Sequence, residues 1–305
     1  MKNIPTRTIS LGSRPSKLAH WQTDYIHAQL KLTWADLSCR LVTLVTTGDQ
    51  IIDRPLPEIG GKGLFTAELE SALLSGEIDL AVHSLKDLPV ENSVGLCIGA
   101  VTRRACAQDV LISANGETLR ALPMDARLGT SSLRRVAQIK AARPDLTILP
   151  LRGNVDTRLR KVLEGEYNAI LLAAAGIERL DLRKHIAEYL PYEVMLPAPG
   201  QGALAIQCRS EDNELLQLIQ PIHDLPTYRA VTAERAFLSA LGGGCSAPVA
   251  AYATTDGGRI EMRGLVASID GQRVIRVAAV GEDPKKLGEQ LAQKALDQGA
   301  AELLG

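Results

Sequence analysis

The stretch GLFTAELESALLSGEIDLAVHSLKDLP, residues 63–89, decides the fold that the sequence predicts. Its first half predicts a helix from Gly63 to Ser75, because apolar residues recur on one helical face, namely Phe65, Leu69, Ala72 and Leu73. Gly76 stands where a helix C-cap belongs. The apolar run IDLAVHS that follows predicts a buried strand. A helix joined to a strand in this way is one step of an α/β sheet.

The same alternation continues on both sides of this stretch. Further strands are predicted in TISLG, CRLVTLV, ARLGTSS, LTILPLR and YNAILLAAAG, and further helices at 15–31, from Leu133, and through Arg158 to Leu163. Such alternation builds doubly wound, mostly parallel sheets. MLPAPGQG, residues 195–202, has two prolines and two glycines and suits a crossover or hinge, after which ALAIQCR returns to the first sheet.

The last part of the chain has a different pattern. A helix at 226–241 ends at Gly242, three strand-like runs are joined by DGG and DGQ turns, and a final helix aligns Leu287, Leu291 and Ala295. The predicted fold class is therefore α/β with three domains. The first covers 1–103 with 201–221, the second covers 104–200, and a small α+β domain covers 222–305.

Composition excludes several function classes. The 305 residues are 46% hydrophobic and carry a net charge of -1, so no global field attracts nucleic acid or an anionic membrane. No apolar run approaches the ~20 residues that cross a bilayer, and the N-terminus lacks the apolar core of a signal peptide, which together predict a cytoplasmic protein. The five cysteines have no C-x-x-C spacing, so the sequence predicts neither a disulfide framework nor a metal site.

AVHSLKDLP places polar residues where a strand ends, the usual ligand-binding edge of an α/β sheet. Asp87, next to Lys86, has the chemistry of a general acid and base. The alternative interpretation is that Asp87 caps a turn before Pro89, and for a lone aspartate the residues alone favour that interpretation.

Anion-binding elements occur at other strand-to-helix junctions. GTSSLRR and LRGNVDTRLRK combine backbone N–H groups and hydroxyls with four arginines: Arg134, Arg135, Arg152 and Arg158. This combination favours binding of carboxylates, with phosphate as a competing ligand. The alternative is that these arginines only form solvated helix faces and bind no ligand. GSRPSKLA offers Arg14, Ser16 and Lys17 at the first junction, and GGKGL is either a loop that closes over a ligand or a plain turn.

LGGGCSAP is the most unusual context for a thiol in the sequence. Three glycines leave Cys245 little shielding, which indicates a sulfur that is used or covered. Cys39, Cys97 and Cys208 lie in strand-like runs and are predicted to be small core residues, whereas Cys106 lies in a loop where reactivity stays open.

Seven motifs occur in the order and spacing of one family: GGKGLF, AVHSLKDLP, GTSSLRR, LRGNVDTRL, LPAPGQGALAIQCR, VTAERAFL and GGGCSAP. From near Ile9 to near Leu304 the chain resembles porphobilinogen deaminase, also called hydroxymethylbilane synthase. The resemblance implies a transferase of tetrapyrrole (haem) biosynthesis that joins four porphobilinogen units head to tail, with ammonia release, into hydroxymethylbilane. It implies a dipyrromethane cofactor bound by a thioether to Cys245. It also implies two domains like a type II periplasmic binding protein, a third domain carrying the cysteine, and a monomer. The absence of a nucleic-acid, membrane or metal partner is predicted by the charge, hydropathy and cysteine spacing given above.

The resemblance also implies site residues. Asp87 would assist departure of ammonia and take the proton that leaves the pyrrole. Each pyrrole carries an acetate and a propionate, and the implied residues that bind these carboxylates are Arg14, Ser16, Lys62, Ser84, Lys86, Thr130, Ser132, Arg134, Arg135, Arg152 and Arg158. Phe65 is implied to stack on a pyrrole, although its spacing slightly favours the core of the predicted helix.

Two other classes share parts of this pattern. A two-lobed solute-binding protein has a similar sheet pattern and an anion cleft, but it has no use for a third domain with Cys245. A transferase or hydrolase with a cysteine nucleophile would lack the pyrrole cofactor. Intact mass separates these classes, because only the deaminase is heavier than its sequence by two pyrrole units.

Overall fold

The computed structural model describes residues 8–50, 63–242 and 247–304. Two compact units share these residues. The first contains residues 8–50, 63–104 and 203–228, and the second contains 105–202, 229–242 and 247–304. The predicted boundaries between three domains stay a prediction. Lys62 and Cys245 lie outside the described residues.

The strands are β1 Ile9–Ser13, β2 Cys39–Thr43, β3 Leu80–Ser84, β4 Leu96–Val101, β5 Asp109–Ser113, β6 Arg127–Gly129, β7 Thr147–Leu149, β8 Ala169–Ala173, β9 Glu188–Tyr189, β10 Leu204–Arg209, β11 Val249–Asp256, β12 Arg259–Ala267 and β13 Val274–Gly281. The α-helices are α1 Lys17–Thr33, α2 Thr47–Gln50, α3 Ala67–Ser75, α4 Leu133–Ala142, α5 Val155–Leu163, α6 Ala174–Arg179, α7 Asn213–Ile219, α8 Leu225–Ala240, α9 Pro284–Asp297 and α10 Ala300–Leu304. Short 3₁₀ turns lie at Leu85–Asp87, Arg183–His185 and Gln220–Ile222.

The first unit is built on a five-stranded sheet with the order β2-β1-β3-β10-β4. β1 pairs in parallel with β2 and β3, whereas β10 pairs antiparallel with β3 and β4. The predicted return of ALAIQCR to the first sheet is therefore confirmed. The antiparallel strand makes the sheet mixed rather than mostly parallel. Its core includes Ile9, Leu11, Ile26 and Leu30, which join β1 to α1.

The helix predicted at 63–75 is shorter than its apolar pattern suggested. Residues 63–66 form a turn and α3 begins at Ala67. Leu69, Ala72 and Leu73 are buried as predicted, and Gly76 caps the helix with a φ of 79°. Phe65 precedes the helix and is only half-buried, so its expected place on the buried helix face is wrong.

The second unit repeats the plan of the first sheet. Its strand order is β7-β6-β8-β5-β9, with β6 parallel to β7 and β8 and with β5 antiparallel to β8 and β9. Two five-stranded α/β sheets of one topology and a small C-terminal α+β part confirm the predicted fold class. The apolar run YNAILLAAAG is only partly strand, since β8 ends at Ala173 and α6 begins at Ala174.

The C-terminal part of the second unit is a three-stranded antiparallel sheet, β11-β12-β13, covered by α9. The aligned residues of α9, Leu287, Leu291 and Ala295, are buried as predicted. Glu234, fully buried on α8, accepts hydrogen bonds from the backbone N–H of Gly200 (2.7 Å) and of Ala253 (2.8 Å). Its carboxylate thereby ties the predicted crossover at 195–202 to β11.

The crossover also needs a glycine at position 202. Gly202 has a φ of 91°, and a Cβ there would lie 2.6 Å from the carbonyl oxygen of Ala105. That close approach allows the Ala105 N–H to donate to the Gly202 carbonyl at 3.1 Å.

Among the described residues, none of the helices is long and apolar enough to cross a membrane.

Candidate active site

Three adjacent parallel strands of the first unit end in polar loops at the same edge of the sheet. Arg14 follows β1, the single-turn helix α2 that carries Asp49 follows β2, and the Leu85–Asp87 turn follows β3. Because the carboxyl ends of parallel strands meet at one edge, this edge is where an α/β sheet binds ligands.

The turn after β3 exposes the predicted acid. Leu85 and Leu88 are buried, contributing about 1.5–3 kcal/mol each, and the Leu85 N–H donates to the Ala203 carbonyl at 3.0 Å. These anchors leave Asp87 exposed and Lys86 half-buried. Within the described residues, the Asp87 carboxylate makes no hydrogen bond or ion pair. The alternative interpretation, that Asp87 caps its own turn, therefore has no support in the structure.

The residues before Asp87 are held from inside the unit. The Ser84 hydroxyl accepts a hydrogen bond from the Gln22 side chain of α1 at 2.9 Å. His83 is buried, and its Nε2 lies 3.1 Å from the Gln207 side-chain oxygen, while the Gln207 amide donates to Glu70 at 3.0 Å. Because that amide donates to a carboxylate, its oxygen is the atom that accepts from His83. Burial lowers the pKa of His83 to about 4, which keeps its ring neutral beside the turn.

Arg14 is half-buried and firmly positioned. Its guanidinium group lies 4.2 Å from the ring centroid of Phe65 and forms a two-point ion pair with Asp49, in which Nε lies 3.2 Å from Oδ2. Phe65 therefore contacts the cation of Arg14. Its predicted stacking on a pyrrole ring stays a prediction. Ser16 caps α1 by accepting from the Ala19 N–H at 3.2 Å, so its hydroxyl serves the helix as well as any ligand.

The second unit brings together most of its predicted anion-binding residues. Thr130 follows β6 and Arg152 follows β7, and the Ser131 hydroxyl joins the two loops by bonding both the N–H and the carbonyl of Leu151 at 3.0 Å. Arg158 Nε donates to the Gly153 carbonyl at 2.7 Å. Ser132 is the N-cap residue of α4, but its side chain makes no capping bond, so its hydroxyl is not used by the helix.

The arginines beyond β7 are half-buried rather than fully solvated. Arg152 and Arg158 have intermediate exposure, and partial burial lowers the pKa of Arg152. A guanidinium group that has already lost part of its hydration binds a carboxylate with a smaller desolvation cost than a fully solvated one.

Arg134 and Arg135 differ from the sequence expectation. Both are buried, at 5% and 6% exposure, and both bind Asp109 at 2.6 Å, with Gln201 adding a fourth group at 3.1 Å. Arg134 also donates to the Leu196 carbonyl at 2.8 Å, and Arg135 to the Leu171 carbonyl at 3.0 Å. These arginines are bound inside the unit because β5 places a buried carboxylate beneath the first turn of α4.

The described cysteines are free thiols. Cys208 on β10 is buried, and its Sγ lies 3.9 Å from that of Cys97 on β4. Burial and the neighbouring Cys97 raise the pKa of Cys208 to about 12. Burial also raises the pKa of Cys106, which lowers its thiolate fraction and argues against the reactivity left open for this loop.

Sequence reasoning missed several residues that hold the predicted site residues in place within each unit: Gln22 and Asp49 in the first, Asp109 and Gln201 in the second. Only Asp49 had a local signal, since TTGDQ reads as a turn directly after a strand. The others contact residues distant in sequence, where local patterns carry no information.

Comparison with known proteins gives matches along almost the whole chain. A family model described as "Porphobilinogen deaminase, dipyromethane cofactor binding domain" matches residues 9–217, and "Porphobilinogen deaminase, C-terminal domain" matches 228–297. A porphobilinogen deaminase of Moorella thermoacetica is 51% identical over 298 residues, which cover 97% of this chain and 95% of that protein. One of Brevibacillus brevis is 50% identical over 295 residues, 96% of each chain.

A solved structure also matches, more distantly. The periplasmic VFT2 domain of Bordetella pertussis BvgS matches 70% of this chain and 86% of that one, with 13% identity and a TM-score of 0.43. A match this weak supports no conclusion about activity.

Proposed function

Because the chain belongs to the porphobilinogen deaminase family, we propose that it joins four porphobilinogen molecules head to tail into hydroxymethylbilane. Each step forms a bond between the aminomethyl carbon of one unit and a pyrrole carbon of the next. The nitrogen leaves as ammonia, a proton leaves the attacked pyrrole carbon, and one water molecule supplies the hydroxyl group of the finished product. The product is the linear precursor of tetrapyrroles such as haem.

The observation that carries this proposal is the exposed carboxyl group of Asp87 at the end of β3. The reaction delivers one proton to the departing nitrogen and removes one from the pyrrole carbon. A single carboxyl group serves both needs in turn, as acid and then as base. Because the Asp87 carboxyl group makes no hydrogen bond or ion pair within the described residues, it is open to contact with a ligand.

The remaining site residues neutralise acid side chains of the pyrroles. The substrate adds two carboxylates per cycle, and bidentate pairing with guanidinium is the strongest neutral-pH interaction that side chains offer them. Arg14 in the first unit is half-buried, and so are Arg152 and Arg158 in the second unit, where Thr130 and Ser132 add hydroxyl groups to the proposed set. Ser16, Lys62, Ser84 and Lys86 complete the proposed set. For Arg134 and Arg135 we propose a supporting role through Asp109 in addition to any carboxylate contact.

The family's dipyrromethane cofactor fits the chemistry of these residues. Its acid side chains need cations and hydroxyls at a ligand-binding edge, and each unit, taken by itself, has such groups where its parallel strands end. When bound, the cofactor supplies the pyrrole carbon to which the first substrate unit is joined. We propose that Cys245 holds it by a thioether and that Phe65 lies against a pyrrole ring. We also propose that the protein is a cytoplasmic monomer that acts without nucleic acid, membrane or metal.

Ammonia release from porphobilinogen tests the role of Asp87. Asp87→Asn should fold and lose nearly all turnover, because the amide neither donates nor accepts the proton in transit. Asp36→Asn is a matched control, since Asp36 is also exposed but precedes β2, at the opposite edge of the sheet. Wild-type rates of ammonia release from the Asp87 variant would refute the assignment.

Intact mass tests the attachment site. The wild-type protein should be heavier than its sequence by two pyrrole units, and Cys245→Ala should have the mass of its sequence alone. Equal added mass in both proteins would refute attachment at Cys245.

A further inference from the structure

The guanidinium group of Arg14 has one donor edge in use. Nε and Nη2 donate to the two carboxylate oxygens of Asp49, and the Phe65 ring covers one face of the group at 4.2 Å. In the described part of the chain, the opposite edge, formed by Nη1 and the second N–H of Nη2, has no hydrogen-bond partner. A guanidinium edge of this kind matches a carboxylate at two points.

Asp49 is itself tightly held. Its Oδ2 accepts from the Thr46 hydroxyl at 2.8 Å and from the Thr46 backbone N–H at 3.2 Å. Burial alone would raise the pKa of Asp49, but the hydrogen bonds from Arg14 and Thr46 outweigh burial and lower it. The carboxylate is therefore a fixed, ionised group across the working pH range.

Helix α2, the single turn that carries Asp49, is packed directly against Phe65. The Gly48 N–H donates to the Leu64 carbonyl at 2.8 Å, and a Cβ on Gly48 would lie 2.2 Å from the Phe65 ring. Only glycine permits this approach, so the carboxylate and the ring that hold Arg14 form one packed piece.

We propose that Asp49 is a positioning residue that fixes the orientation of Arg14 and presents its Nη1/Nη2 edge to a pyrrole carboxylate. This inference rests on the proposed function, because it needs a ligand with acid side chains. A fixed guanidinium plane reduces the conformational entropy lost on binding, so the effect belongs to substrate affinity rather than to bond formation. The opposite idea, that Asp49 competes with the substrate for Arg14, predicts tighter binding once Asp49 is neutralised.

Steady-state kinetics of the holoenzyme with porphobilinogen distinguish these ideas. Asp49→Asn keeps the shape of the side chain but loses its charge, and the KM should rise about tenfold with kcat changed less than about twofold. Asp145→Asn is the matched control, because Arg143 binds Asp145 through the same two nitrogens, at 2.7 and 2.6 Å, in the second unit. Both constants of that control should equal those of the wild type.

A second measurement does not depend on activity. The Arg14 Nε–H should give a slowly exchanging ¹⁵N NMR signal, assigned with Arg14→Lys, that disappears in Asp49→Asn and persists in Asp145→Asn. Phe65→Leu is a second variant that removes the ring but keeps the ion pair, and it should raise KM severalfold.

Clear results would overturn the inference. If the wild type is active but the KM of Asp49→Asn is unchanged or lower, the inference is refuted while the proposed function is not. The same holds if the Arg14 signal persists in Asp49→Asn. A wild type that releases no ammonia from porphobilinogen would refute the proposed function and this inference with it.

Discussion

Replacing Asp109 by asparagine removes a negative charge that two buried arginines share. Asp109 is fully buried, and Arg134 and Arg135 approach it at 2.6 Å from α4. Burial lowers the pKa of Arg134, and the like charge of Arg135 lowers it further. The carboxylate of Asp109 acts in the opposite direction and raises that pKa. The carboxylate therefore compensates two guanidinium groups that water cannot reach.

The structure sets the size of the effect. Breaking a buried ion pair by neutralising one partner costs about 3–5 kcal/mol, because a buried charge is left uncompensated. With a denaturant slope of about 2 kcal/mol per molar, the urea midpoint of the second unit should fall by roughly 2 M. Asparagine has nearly the same volume, so the loss is not caused by a cavity.

Urea unfolding followed by circular dichroism measures this change. Asp145→Asn is again the control: its ion pair with Arg143 is more exposed, at 19% and 24% of the two side chains, so a much smaller shift is expected. A loss below about 1 kcal/mol for Asp109→Asn would show that the charges of Arg134 and Arg135 are neutralised by another group, and would refute the reasoning.

Two further predictions concern pH and elongation. The pKa of His83 is about 4 in the folded protein and 6.5 in the unfolded chain, so protonation favours the unfolded chain between these values. The free energy of unfolding should therefore be highest above pH 6.5 and fall by roughly 3 kcal/mol as the pH drops to 4. His83→Gln should flatten that part of the profile of unfolding free energy against pH, and an unchanged profile would contradict the prediction. Arg152→Leu should stall elongation and accumulate partly extended chains by mass spectrometry, while Arg160→Leu, an exposed arginine paired with Glu164, should elongate normally. Equal product patterns in these two variants would remove Arg152 from the carboxylate set.

The sequence predicted those parts of the fold that depend on neighbours along the chain. The start of α4 at Leu133, the cap at Gly76 and the buried face of α9 follow from periodicity and glycine placement. The same local signals located Asp87 and Arg152 at strand ends, because a strand followed by polar residues is visible without knowing the sheet order.

Pairings between distant segments were beyond such reasoning. Periodicity shows that Arg134 and Arg135 begin a helix, but their direction depends on Asp109, which β5 brings underneath from another part of the sequence. Phe65 shows the same limit. Its spacing fits the α3 face, yet the turn carrying Gly48 and Asp49 takes it out of the helix and against Arg14.

The position of β10 between β3 and β4 has a consequence for synthesis on the ribosome. The strand that completes the first sheet is translated only after every strand of the second sheet. Until Arg209 leaves the exit tunnel, β3 keeps an unpaired edge and β4, which pairs only with β10 among the described strands, has no strand partner. Unpaired strand edges promote aggregation of nascent chains. A truncated product ending before Leu204 should therefore depend on chaperones, even though it already contains Arg14 and Asp87.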